Sequence, residues 1–227
     1  MTDLQAAGVE PTGLPAHETV YRQLRDSVLF GDLAPGQAVT IQGLQAMTGA
    51  GMTPVREAIR RLIPEGALAM QGNRRVSVPR LSPGNIEELI FARATIEPQL
   101  IRLATAHATA EELDGLAAED ARLDRAIDRG DVPAYLRHNY LFHRRLYDLS
   151  RAPILRDMAQ GLWLRFGPSL RVVCGRIGTA NLPDLHRQTL AAMRAGDAEA
   201  AAEAIRRDVI QGMDQVRAAL SEDVSGG

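Results

Sequence analysis

The stretch Thr53-Pro54-Val55-Arg56-Glu57-Ala58-Ile59-Arg60-Arg61-Leu62 decides the fold. Val55, Ile59 and Leu62 recur at helical spacing and form a stripe fit for burial, while Thr53, Arg56 and Arg60 fall on another face and reach outward. Pro54 lies in the first turn, where a missing N–H costs little. A shorter helix precedes this one: Thr40 is placed to cap a segment carrying Ile41, Leu44 and Met47 that stops near Gly49. Further upstream, residues 17–30 repeat Val20, Leu24 and Val28 at the same period, with Gly31 as a stop and residues 32–36 as a turn. Downstream the period changes. Residues 67–70 and 75–78 read as short strands joined by the turn Gln71-Gly72-Asn73-Arg74. Three short helices followed by a hairpin form a winged helix-turn-helix, a DNA-binding layout.

From residue 85 to 220 every strong pattern is helical, with helices expected near 84–107, 110–129, 131–150, 154–174, 183–195 and 197–220. Thr109 with Glu112 has the spacing of a capping box, and Gly130-Asp131 and Gly196-Asp197 each pair a stop glycine with a starting cap. The expected fold is mainly α: an N-terminal winged helix-turn-helix of three helices plus a two-stranded wing, and a C-terminal all-α helical bundle. Residues 1–16 read as a flexible tail, 17–78 as the DNA-binding domain, 79–84 as a linker, 85–220 as the helical domain and 221–227 as a disordered tail.

The formal net charge of −2 argues against a generic nucleic-acid binder, but the charge is unevenly placed. Between Thr53 and Arg80, six Arg face only Glu57 and Glu65, which leaves a local basic patch on a mildly acidic body. All 26 basic residues are Arg. No apolar run approaches the length of a membrane span, the N-terminus lacks the layout of a secretory signal, and the single Cys174 precludes an intrachain disulfide framework. A cytoplasmic protein is expected.

The words Val20-Tyr21-Arg22-Gln23-Leu24-Arg25, Gly31-Asp32-Leu33-Ala34-Pro35-Gly36, Thr53 through Leu62, Glu65-Gly66 and the Arg74 turn resemble the DNA-binding domain of the GntR family of bacterial transcription regulators. A recognition helix sets its N-terminal residues against base edges, and Arg grips guanine with two hydrogen bonds. Arg56 is therefore the first candidate contact and Thr53 the second, with Arg60 and the wing residues Arg74 and Arg75 next. The chain departs from the family pattern at three places. Gln42-Gly43 replaces Arg or Glu-Arg, Gly51-Met52 replaces Ser-Arg, and Arg75 replaces a Gly. Gln42 and Met52 thus stand at contact positions, Met52 being suited to a thymine methyl, and an altered operator is expected.

A second set of words resembles the all-helical C-terminal domain of the FadR subfamily, known as FCD: Arg93-Ala94-Thr95-Ile96-Glu97, Asn139-Tyr140-Leu141-Phe142-His143, Ser150-Arg151-Ala152-Pro153-Ile154-Leu155, and His186 through Gly196-Asp197. That resemblance implies a divalent metal held by an Asp and three His at the floor of a cavity for a small organic acid. Matched by position, the Asp becomes Asn139, the first two His are His143 and His186, and the third His becomes Asp208. Asn139 and His143 share a helix face as an i,i+4 pair. The donor mix suits Zn, Ni, Fe or Mn, with spare positions for an effector carboxylate. Arg93 and Arg165 are the candidate effector contacts; Arg93 alternatively pairs with Glu97 along its helix. Trp163 and Phe166 read as core, and His17, His107 and His138 as structural or surface residues.

These features together imply a regulator in which a homodimer binds double-stranded DNA at a palindromic operator, acts as a repressor and is released by a small carboxylate. Two alternatives stay open on the sequence: a metal-dependent enzyme in the bundle, and a constitutive DNA-binding protein whose effector site has decayed. Against the enzyme, no carboxylate pair, Ser/His arrangement or phosphate-cradling loop stands out. Replacing Arg56 by Ala is expected to weaken specific DNA binding by about 1–3 kcal/mol. An unchanged duplex titration at fixed salt would remove Arg56 from the interface.

Overall fold

Each helix start in the N-terminal part of the computed structural model, which describes residues 15–72, 75–177 and 185–225, follows from local chemistry. Helix α1 (Ala16–Leu29) begins after Pro15. Helix α2 (Ile41–Thr48) is capped by Thr40, whose hydroxyl accepts from the Gly43 amide at 3.0 Å, and ends on Gly49 in the left-handed region at φ 68°. Helix α3 (Met52–Leu62) starts one residue before Thr53, with Gly51 at its N-cap and no side-chain cap. Val20, Leu24 and Val28 of α1 pack with Leu44 of α2 and with Val55, Ala58 and Leu62 of α3, all buried. Each of the valine and leucine side chains contributes about 1.5–3 kcal/mol of burial free energy. Arg61 ties α3 back to α1, pairing with Glu18 at 2.7 Å and lying 3.5 Å over the Tyr21 ring.

The wing has three strands rather than the two expected. Strand β1 (Ala38–Val39) pairs antiparallel with β3 (Arg75–Ser77), which also pairs with β2 (Ala69–Gln71), giving the order β1-β3-β2. Two residues are too short for an alternating pattern, and their partners lie far away in sequence, so β1 leaves no local signal. Ala67 and Leu68, expected in the hairpin, instead fold back on α3 with their amides donating to the Leu62 carbonyl. Arg74 and Asn73 at the wing turn lie outside the described residues.

Six helices follow: α4 (Pro83–His107), α5 (Ala110–Asp128), α6 (Val132–Leu149), α7 (Pro153–Ile177), α8 (Leu185–Arg194) and α9 (Ala198–Ser225). Ser82 and Asn85 form a capping box that starts α4 inside the expected linker. The Thr109–Glu112 box opens α5, and the side chains of Asp131 and Asp197 accept from the amides of Ala134 and Ala200 to open α6 and α9. Helix α9 runs past Leu220 into residues expected to form a tail. Helix α4 lies along α9 and contacts α6 and α7; α5 packs on α6 and α8. Among the described residues no helix is long and apolar enough to cross a membrane.

The two halves share one hydrophobic core. Helix α7 lies directly on α1. A Cβ built at Gly167 would meet the Leu29 carbonyl oxygen at 2.5 Å, so only glycine permits this approach. Gly31, in the left-handed region at φ 73°, is covered by the Arg171 side chain, and Gly66 by that of Arg165. Alanine elsewhere in a helix gains about 1 kcal/mol over glycine. At position 167 the obstacle is a backbone oxygen that cannot swing aside, and the forced shift costs about 1–3 kcal/mol. The clash wins, and Gly167→Ala is expected to lower the urea midpoint. A raised midpoint would show that the halves separate freely here.

Candidate functional site

The outward face of α3 and the wing enclose one groove. Gln42, Thr53, Arg56, Arg60 and Arg75 all line it, together with apolar residues of β1 and β3. Arg56 and Arg75 are exposed, and Arg60 is held by Glu57 at 3.2 Å. Met52 is exposed at the start of α3 but does not line the groove. Cations on either side of a groove, beside a helix N-terminus, form a surface complementary to a phosphate backbone.

The second site is a cavity of about 270 Å³ lined by residues of all six helices α4 to α9. His143 from α6, His186 from α8 and Asp208 from α9 converge on it, each offering one ligand atom within 4.8 Å of the others. His143 Nε2 lies 3.2 Å from Asp208 Oδ2, and His186 Nε2 lies 3.8 Å from Asp208 Oδ1. Asn139, one turn before His143, lines the same cavity.

The other nitrogen of each imidazole is engaged behind the site. His186 Nδ1 lies 3.0 Å from Asp120 Oδ1, and the ring stacks on Phe142 at 4.0 Å between centroids. His143 Nδ1 lies 3.3 Å from the Tyr147 hydroxyl and 3.5 Å from Glu97 Oε2. Tyr147 donates its proton to Glu97 at 2.6 Å and accepts from Trp163 Nε1 at 3.0 Å. These partners favour the proton on Nδ1 of both rings, so both Nε2 lone pairs face Asp208. Two imidazole lone pairs and a carboxylate facing one point suit a cation between them; with Nε2 protonated instead, His143 donates to Asp208 directly and the set closes on itself. Burial alone would lower the His143 pKa, but its bonds to Asp208 and Glu97 outweigh that and raise it. Burial would likewise raise the Asp208 carboxyl, yet His186, His143 and Arg93 hold it down to about 2. The donor set fits a divalent ion: two neutral nitrogens, one carboxylate and an amide, with carboxylates orienting the rings from behind.

Arg93 forms part of the cavity wall, but its guanidinium is committed. It is buried, pairs with Glu97 at 2.5 Å and lies over Phe166 and Trp163 at 4.1 and 5.0 Å from their centroids. The helical pair with Glu97 is therefore its role in this structure. Arg165 does not line this cavity; it points out of α7 against Gly66 of the winged helix, which corrects its expected place beside an effector. Asp120, Asp124, Gln211 and Gln215 line the cavity and were not anticipated. Asp120 left one signal: a carboxylate in the stripe Leu113, Leu116, Leu123 that α5 buries.

Comparison with known proteins adds an independent finding. The family model described as bacterial regulatory proteins, gntR family, matches residues 16–78, and the FCD domain model matches residues 88–210. The chain is 31% identical to the HTH-type transcriptional regulator McbR of Escherichia coli (strain K12) over 79% of this chain and 83% of McbR. It is 26% identical to the HTH-type transcriptional repressor GlaR of the same organism, over 88% of this chain and 96% of GlaR. The solved structure of E. coli McbR/YncC superposes with a TM-score of 0.82 at 28% identity, covering 93% of this chain and all of that one.

Outer partners that hold a ligating His in place are worth roughly 10–100-fold in metal affinity. Asp120→Asn is expected to weaken Zn(II) binding by about that factor, and the double variant His143→Ala/His186→Ala to abolish stoichiometric metal. Equal metal content in the double variant and the parent, measured on the purified proteins, would dismiss the site.

Proposed function

Since the chain belongs to the GntR family of bacterial transcription regulators and carries its FCD domain, we propose that it is a repressor released by a short organic acid bound in the α4–α9 cavity. The family is one of regulators, not enzymes, which sets aside the catalytic reading of the bundle. The observation that carries the proposal is the convergence of His143, His186 and Asp208 on one cavity of the helical domain that is fused to the winged helix. A cavity of about 270 Å³ lies just below the roughly 300–1,000 Å³ of drug-sized sites, a size that suits an acid of a few carbons.

The charge of the cavity decides how an acid is held. Among the described residues its wall carries Asp120, Asp208 and Asp124, the last paired with Arg187, and one arginine, Arg93, which Glu97 neutralises. None of these described side chains offers an unpaired cation to a carboxylate. A divalent ion, which His143, His186 and Asp208 would hold with Asn139 alongside, would supply the positive charge that draws the acid in. Gln211, Gln215 and Tyr135 line the rest of the cavity and offer hydrogen bonds to its polar tail.

On the DNA side, Arg56 and Thr53 read bases from the start of α3, Arg60, Arg74 and Arg75 hold phosphates, and Gln42 and Met52 flank them. A homodimer presents two such heads to a palindrome, because two-fold protein symmetry mirrors operator symmetry. The acid acts by binding better to the conformation in which the two heads no longer match the half-sites. An operator selected from a random duplex pool allows a direct test with Zn(II)-loaded protein. At least one member of a panel of short carboxylates is expected to weaken operator binding about tenfold, equivalent to about 1.4 kcal/mol. No change across the panel would overturn the reading of an acid effector.

A further inference from the structure

The cavity and the DNA-reading head are joined by a continuous set of packed rings. His143 lies 5.0 Å from Trp163 between ring centroids, and Trp163 forms part of the cavity wall. Trp163 meets Tyr140 edge-on at 5.4 Å, and Tyr140 meets Phe30 edge-on at 5.9 Å. Phe30 closes the C-terminal end of α1, and Arg137 of α6 lies 4.7 Å over its ring. The Tyr140 hydroxyl also accepts a hydrogen bond of 3.2 Å from Arg25 of α1. Tyr140 follows Asn139 directly, so one turn of α6 offers Asn139 to the cavity and Tyr140 to the winged helix.

We propose that Tyr140, wedged between Trp163 of the cavity wall and Phe30 of α1, is the positioning residue through which cavity occupancy sets the orientation of the winged helix. This rests on the reading of the cavity as a ligand site. Three physical points support it. The rings are buried, and a close-packed interior passes a displacement on rather than absorbing it. Helix α7 has Trp163, Phe166 and Leu170 on the cavity and, on a neighbouring face, Gly167 and Arg171 on Leu29 and Gly31. A shift of Trp163 therefore acts on a helix already seated against α1. Finally, α1 is bonded to α3 through Glu18–Arg61 and shares its core, so a rotation of α1 carries the recognition helix with it.

The test uses the full-length chain with Zn(II) alone as the probe. Trp163 is the sole tryptophan, so its emission reports cavity loading. Amide exchange across residues 24–33 reports the response of α1. In the parent, Zn(II) is expected to change both. In Phe30→Leu and Tyr140→Leu, the Trp163 titration midpoint should stay within about threefold of the parent, while the exchange response of residues 24–33 falls at least threefold. Tyr140→Phe keeps the ring contacts and is expected to keep most of the response; a loss there too still supports the link, through the Arg25 bond. An undiminished exchange response in both leucine variants overturns the proposal.

If Zn(II) leaves Trp163 emission unchanged in the parent, the metal reading fails instead. The relay is then read from His143→Ala, which removes the ring beside Trp163 without any ion. Its effect on exchange across residues 24–33 should be present in the parent background and reduced at least threefold with Phe30→Leu. An equal effect in both backgrounds overturns the relay.

Discussion

The Glu97 carboxylate is the charge around which the helical half of the molecule is arranged. It is fully buried on α4, and it gathers Arg93 from its own helix with Tyr147 and His143 from α6. Burial alone would push its pKa up; Arg93 and His143 outweigh that and lower it, so the group stays ionised. Removing one partner of such a buried pair leaves an uncompensated charge and costs about 3–5 kcal/mol. The consequence reaches the cavity. Because Glu97 absorbs Arg93, the described cavity wall keeps no free guanidinium, and because it sits behind His143, it fixes which nitrogen of that ring looks inward.

Interior polar order of this kind sits next to a second constraint, the contact between halves. Helix α7 meets the winged helix through backbone rather than through long side chains alone: glycine at 167 lets it touch Leu29, and arginines at 165 and 171 lie over Gly66 and Gly31. Such a seat is specific in distance and intolerant of bulk. It makes the reading head part of the same packed body as the ligand cavity, which a loosely tethered pair of domains would not be.

Much of this was legible in the sequence because the relevant signals are local. Helical period, Thr40, Gly49, the Thr109–Glu112 box and Asp197 each act within a few residues, and the structure follows them. Strand β1 was invisible because its partners Val76 and Ser77 lie far along the chain and its two residues carry no pattern. The His143–His186–Asp208 set followed from matched words, but the partners behind it did not. The bond of Asp120 to His186 spans 66 residues, and only its place in an apolar stripe hinted at burial with purpose. Arg165 was misplaced for a related reason. Spacing on α7 identifies faces but does not say which face meets the cavity and which meets the winged helix, since both are packed.

The start of the recognition helix has its own consequence. Gly51 offers no side chain to the first turn of α3, and Pro54 has no amide hydrogen to satisfy. The amides of Met52 and Thr53 are left to solvent, because the first donors of any helix have no partner within it. A phosphate oxygen is the acceptor that best completes such an end, since the helix dipole adds to the hydrogen bonds. Helix α3 thus has an unfinished first turn, open to an acceptor from outside the chain. Backbone amides carry no sequence preference, so an oxygen bonded there would gain the same from any stretch of phosphate backbone, cognate or not.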